Sequence, residues 1–176
     1  MTWMLTATGK QFDPVDPQPD MIDLVDIAHG LAHECRFAGQ CRFFYSVAQH
    51  SVLVSQAVPP EHAWEALLHD ASEAYIKDIP SPVKRLLPDY RALEARIEAA
   101  IRARFGLPAA KSDDVARADL VLLATERRDL MNAGGAPWAC LHGVTPLDKR
   151  IRAIHAGQAK SLFMERALQV LQACPA

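Results

Sequence analysis

The chain of 176 residues is half hydrophobic and 23% charged, the proportions of one globular domain with a single core rather than of a disordered segment. Its formal net charge of −2 supplies no overall positive field, which argues against a nucleic acid polymer or an acidic membrane surface as partner. No apolar run is long enough to span a bilayer, residues 1–12 lack a secretory signal, and Cys35, Cys41, Cys140 and Cys174 form no C-x-x-C pair, so a cytoplasmic protein with reduced thiols is expected.

The Pro- and Asp-rich segment 13–20 predicts an extended or turn-like entry to the domain. Beyond it the pattern is helical, and no alternating strand is expected. Ile22, Val25, Ala28, Leu31, Ala32 and Cys35 recur at helical spacing and predict a first amphipathic helix, broken near Gly39. A second helix is expected from Ser46 to before Pro59. A third starts at Pro60-Glu61, where proline and an acid suit a helix start, and runs through WEALLHDASEAYI. Pro80, Pro82 and Pro88 cut the next stretch into turns. Residues 89–104 predict a charged amphipathic helix with Leu93, Ile97 and Ile101 on one face. Ser112 predicts the cap of a helix over 113–131. Its end, ERRDLM (126–131), reads as a solvated face. Gly134, Gly135 and Pro137 predict a loop, and a last helical extension is expected over 145–172. The fold class is therefore all-α, a single bundle of about six helices in which facing helices can build a polar site.

His69-Asp70 interrupts the apolar run AWEALLHDASEAY, and burying unpaired ionisable groups there needs compensation. A metal ion provides it, because imidazole and carboxylate are ligands for divalent cations. His50, in SVAQHSVLVS, and Asp119, in VARADLVLLATE, interrupt two further helices in the same way. Two histidines and two aspartates leave positions for water and substrate on an octahedral ion. Glu73, four residues after His69 and three after Asp70, falls on the same side of a regular helix, where it could hold water or move a proton. By composition alone Arg36 and Lys84 read as surface charges, Asp78 as a turn cap beside Pro80, and Phe37 as core. His29 and His33 read as helix-surface or packing residues.

The ordered set His50, His69-Asp70, Asp119 resembles that of the HD-domain metal-dependent phosphohydrolases. The resemblance is to the branch of bacterial 5'-deoxynucleotidases and phage dATP triphosphohydrolases. It rests on CRF (35–37), FYSVAQHS (44–51), LLHDASEAYIKDIPSPVK (67–84) and ADLVLLATE (118–126), and extends to WMLTATGKQFD (3–13) in phage-type members. It implies a single HD domain with its core at about 22–131, and His50, His69, Asp70 and Asp119 as metal ligands. It also implies Glu73 as the acid that positions or deprotonates the attacking water, Asp78 as an acid near the nucleotide, and Lys84 and Arg36 as phosphate and sugar contacts. Phe37 stands where relatives often carry Trp. The implied cofactor is one divalent Co, Mn, Zn, Ni or Fe ion per subunit, with a further Mg accompanying a triphosphate. The implied partner is a small-molecule deoxynucleotide, and a homo-oligomer, dimer or hexamer, is expected. A sensor module that binds nucleotide or metal without turnover is the alternative on the same fold.

Overall fold

The computed structural model describes residues 2–173. In chain order the helices are α1 (Leu24–His33), α2 (Val47–Gln56), α3 (Ala63–Leu68), the single turns α4 (Glu73–Ile76) and α5 (Ser81–Lys84), then α6 (Pro88–Phe105), α7 (Asp113–Leu130) and α8 (Ala156–Ala173). Six of them have six residues or more, which agrees with an all-α bundle.

Several boundaries are written into local chemistry. Asp23, Ser46 and Ser112 each accept a hydrogen bond from a free amide in the first turn of α1, α2 and α7. Pro88 opens α6, and Gly106, at φ 65°, closes it in the left-handed conformation that terminates helices.

Helix α2 is the hub and packs on α1, α3, α7 and α8. One core joins Ile27, Leu31, Val47, Leu67, Ile97, Ile101 and Phe163, and a second joins Val54, Ala66, Val115 and Leu122. Each large side chain fully buried in this way contributes about 1.5–3 kcal/mol. Because α2 is surrounded, its buried polar residues look inward for partners, and among them only the Ser51 hydroxyl has none. Ser55 donates to the Ala63 carbonyl at 2.8 Å, and Gln49 donates to the Arg152 carbonyl at 2.8 Å and accepts from the Ile154 amide.

Three expectations are corrected. The N-terminus forms a small antiparallel hairpin, β1 (Met4–Leu5) with β2 (Gln11–Phe12). Asp26 of α1 holds its turn, accepting from the Thr8 amide and hydroxyl, both at 2.7 Å. The third helix is not continuous. The amides of Ala71, Glu73, Ala74 and Tyr75 bond the carbonyl three residues back, as in Glu73 to Asp70 and Tyr75 to Ser72, both at 3.0 Å, so α3 passes into α4 through a tightened turn. The last helix begins only at Ala156. Upstream, the amides of Leu147, Ile151 and Ile154 bond side chains of Thr125, Asp129 and Gln49, which leaves them unavailable to a helix ladder.

Candidate metal centre

Three elements converge here. His50 sits mid-helix in α2 with no exposed side-chain surface. His69 and Asp70 occupy the tightened turn after α3, and Asp119 comes from α7. The Nε2 atoms of His50 and His69 face each other at 3.3 Å. Asp119 Oδ1 lies 3.3 Å from His50 Nε2 and 3.9 Å from His69 Nε2. Asp70 Oδ2 lies 3.1 Å from His69 Nε2 and 3.5 Å from His50 Nε2. One donor atom each from His50, His69 and Asp119 falls within a mutual 4.8 Å, so this trio could hold a metal ion. Asp70 borders the same point through its contacts with both imidazoles.

Hydrogen bonding on the far side of each ring supports that fit. His69 Nδ1 is 2.7 Å from the Ala66 carbonyl oxygen, which can only accept, so the proton belongs on Nδ1. His50 Nδ1 is 2.6 Å from Glu126 Oε1. With both neutral rings protonated on Nδ1, two nitrogen lone pairs and two carboxylates point at one spot. Such an arrangement calls for a cation between them. Burial and the Arg36 charge push His50 down, but Glu126 and Asp119 outweigh them and raise it to about 9. Burial pushes Asp70 and Asp119 up, yet the histidines hold both carboxyls well below their usual range.

Glu126 escapes sequence reading. It is fully buried, not part of a solvated face. Its other oxygen, Oε2, accepts from Arg36 Nε and Nη2 at 3.2 and 3.1 Å. Arg36 in turn reaches Asp70 Oδ2 at 3.5 Å. Burial raises the Glu126 carboxyl, but Arg36 and His50 lower it further, so it stays ionised. The available signal was spacing: Glu126 lies seven residues after Asp119, two turns along the same helix face.

Glu73 opens α4 and is buried, with Oε2 lacking a hydrogen-bond partner. The tightened turn aligns residues three apart, which sets Glu73 above Asp70. Burial and the Asp70 and Asp78 charges raise its carboxyl well above the usual range. Asp78, half-buried, is also raised by burial, against the opposing pull of Arg36. Lys84 is engaged by Glu94 at 2.6 Å rather than standing as a bare surface charge. Lys111, unremarked in the sequence, sits 3.2 Å from Asp119 Oδ2 on the more exposed side.

Phe37 belongs to a left-handed turn, Phe37, Ala38 and Gly39, with φ of 56°, 50° and 77°. Non-glycine residues there cost about 1–3 kcal/mol each, so the surroundings must impose the turn. Amides on either side do so: Arg36 bonds the Tyr45 carbonyl and Arg42 bonds that of Leu130, both at 2.9 Å. The Phe37 ring carries the Arg36 guanidinium at 5.3 Å and meets Trp138 at 6.1 Å, a second contact not foreseen from sequence. A separate surface groove of about 680 Å³, lined by Phe43, Phe44, Leu130 and Ile151, includes none of these site residues.

Among the described residues, no helix is long and apolar enough to cross a membrane. Cys35, Cys41 and Cys140 are free thiols, while Cys174 lies outside the described residues.

No family model matches the chain. An uncharacterized protein of Rhodobacter capsulatus is 40% identical over 126 residues, 66% of this chain and 64% of that protein. The uncharacterized protein YfdR of Escherichia coli (strain K12) is 49% identical over 167 residues, 94% of each chain. Identity at that level over nearly the whole of both sequences means that the chain belongs to the family of YfdR.

Proposed function

We propose that this protein is a metal-dependent phosphohydrolase of deoxynucleotides on the HD-domain pattern, working in the cytoplasm as a homo-oligomer. The observation that carries the reading is the pair of imidazole Nε2 atoms 3.3 Å apart, each with its other nitrogen committed elsewhere, facing the carboxylates of Asp70 and Asp119.

His50, His69, Asp70 and Asp119 would hold a divalent Co, Mn, Zn, Ni or Fe ion, all of which suit mixed nitrogen and oxygen ligation. Bound there, the ion supplies Lewis acidity to water and to a phosphoryl oxygen. Glu73 takes the proton of the attacking water on Oε2, the oxygen that has no other partner. Burial and two neighbouring carboxylates give Glu73 the proton affinity that task needs. Asp78 orients the substrate's sugar end. Arg36, Lys84 and Lys111 offset charge that spreads over the phosphoryl oxygens as the bond to the leaving group breaks. Each of these cations rests on a carboxylate, so substrate phosphate exchanges one anionic partner for another. The Phe37–Trp138 pair offers a face for the sugar or base.

The test is product identification on a panel of deoxynucleoside mono- and triphosphates with Mn, Co, Mg or Zn. Orthophosphate from a monophosphate marks a 5'-deoxynucleotidase, and inorganic triphosphate marks a triphosphohydrolase that takes a further Mg with its substrate. Glu73→Ala is expected to abolish turnover with metal retained. No turnover of any member by metal-loaded protein overturns the proposal.

A further inference from the structure

We propose that Glu126 is the positioning residue of the metal centre: its Oε1 fixes His50 with the proton on Nδ1, and its Oε2 holds Arg36 against Asp70. The inference rests on the metal-site reading and concerns how the chain keeps that site ready for a cation.

Helix α7 touches both nitrogens of one imidazole. Asp119 lies 3.3 Å from Nε2 of His50, and Glu126, seven residues later, lies 2.6 Å from Nδ1. His50 has two ways to satisfy itself. With the proton on Nδ1 it donates to Glu126 and presents the Nε2 lone pair to the site. With the proton on Nε2 it would donate to Asp119 or Asp70, both within 3.5 Å, and the cluster would close on itself with no need of an ion. Glu126 decides between these states, because its Oε1 is the atom facing Nδ1 at 2.6 Å and a carboxylate oxygen in that place can only accept.

The second oxygen gives Glu126 a reach beyond His50. The contact to Arg36 at 3.1–3.2 Å continues to Asp70 at 3.5 Å. A ring of contacts therefore runs Glu126, His50, the metal point, Asp70, Arg36 and back to Glu126. Arg36 draws Asp70 from outside while His69 meets it from inside. With Glu126 and His50 fully enclosed and Arg36 nearly so, solvent screens little of this network. A carboxylate behind a metal-bound histidine raises its basicity and fixes its orientation, and losing one commonly weakens metal binding about 10- to 100-fold.

A plainer role would make Glu126 only the counter-ion of a buried arginine. The two roles separate in a double-mutant cycle read by metal affinity rather than turnover. Zinc and cobalt affinities are measured by competition with a chromophoric chelator for the wild type, Glu126→Gln, Arg36→Met and the double variant. The expected result is a loss of about 10- to 100-fold in Glu126→Gln, repeated in the Arg36→Met background, with the cobalt absorption spectrum altered in both. Recovery of wild-type affinity in the double variant would make Glu126 a counter-ion and overturn the inference. Equal affinity of wild type and Glu126→Gln would overturn it while leaving the metal site intact. Failure of the wild type to bind zinc or cobalt would remove the metal site and this inference together. If the variants do not fold, ¹⁵N spectra of zinc-loaded wild type read the His50 tautomer directly. A proton on Nδ1 with zinc on Nε2 is expected, and the reverse assignment overturns the inference.

Discussion

Gly30 lies in α1 where that helix crosses α4, and it controls how close Glu73 can sit to the site. A Cβ at position 30 would meet Ala74 at 2.7 Å from its oxygen, 2.8 Å from its Cβ and 2.9 Å from its Cα. Ordinary contact begins at 3.4 Å, so α4 must retreat by about 0.7 Å. The obstacle is chiefly backbone, which cannot swing aside as a side chain would. Overpacking of this kind costs about 1–3 kcal/mol, and the better helix propensity of alanine returns about 1 kcal/mol. Gly30→Ala is therefore expected to destabilise by at most about 2 kcal/mol, or up to about 8 °C in Tm for a chain of this size. The effect on turnover should be larger. Ala74 follows Glu73 directly, and displacing a catalytic group by about 1 Å commonly costs on the order of 100-fold in rate. Urea unfolding gives the stability, and product release under saturating metal gives kcat. Wild-type stability together with wild-type kcat would refute the close crossing of α1 and α4 as the device that places Glu73.

Lys77, at φ 78° and ψ 152°, holds a conformation that glycine adopts freely and other residues do not. Lys77→Gly should raise stability by about 1 kcal/mol, because the Lys77–Glu34 pair it loses is formed by a largely exposed lysine. A lower Tm would contradict the strain. Asp129 is lowered to about 2, first by its hydrogen bond from Arg128 and also by the Ile151 amide, against burial. A depressed folded-state value means that its stabilisation is complete above about pH 4 and is lost as pH falls through about 2. Asp129→Asn should therefore destabilise by about 1 kcal/mol at neutral pH and flatten the acid limb of a pH–stability curve. An unchanged acid limb would contradict that role.

The helices most legible in the sequence carry their own punctuation. Ser46 and Ser112 cap α2 and α7, and Pro88 and Gly106 bracket α6, all through contacts within a few residues. The convergence of His50, His69 and Asp119 was legible for another reason: each breaks an apolar helix, and burial of an ionisable group demands compensation. What stayed hidden depended on partners far along the chain. Glu126 looked solvated because Arg127 and Arg128 follow it, but its own partners are Arg36, 90 residues away, and His50, 76 residues away. The segment before α8 has apolar spacing suited to a helix. Its amides are instead taken by Thr125, Asp129 and Gln49, which no local pattern announces. The turn at 69–72 was hidden too, since no proline or glycine marks the shift to three-residue bonding.

The most direct test of the central claim is metal content per chain, measured on purified protein loaded with Mn, Co or Zn and then desalted. Asp119→Ala and His69→Ala are carried alongside, with folding checked by circular dichroism. The account predicts a single tightly held divalent ion in the wild type and its loss from both folded variants. A folded wild type that retains no ion, or folded variants that retain as much as the wild type, would contradict it.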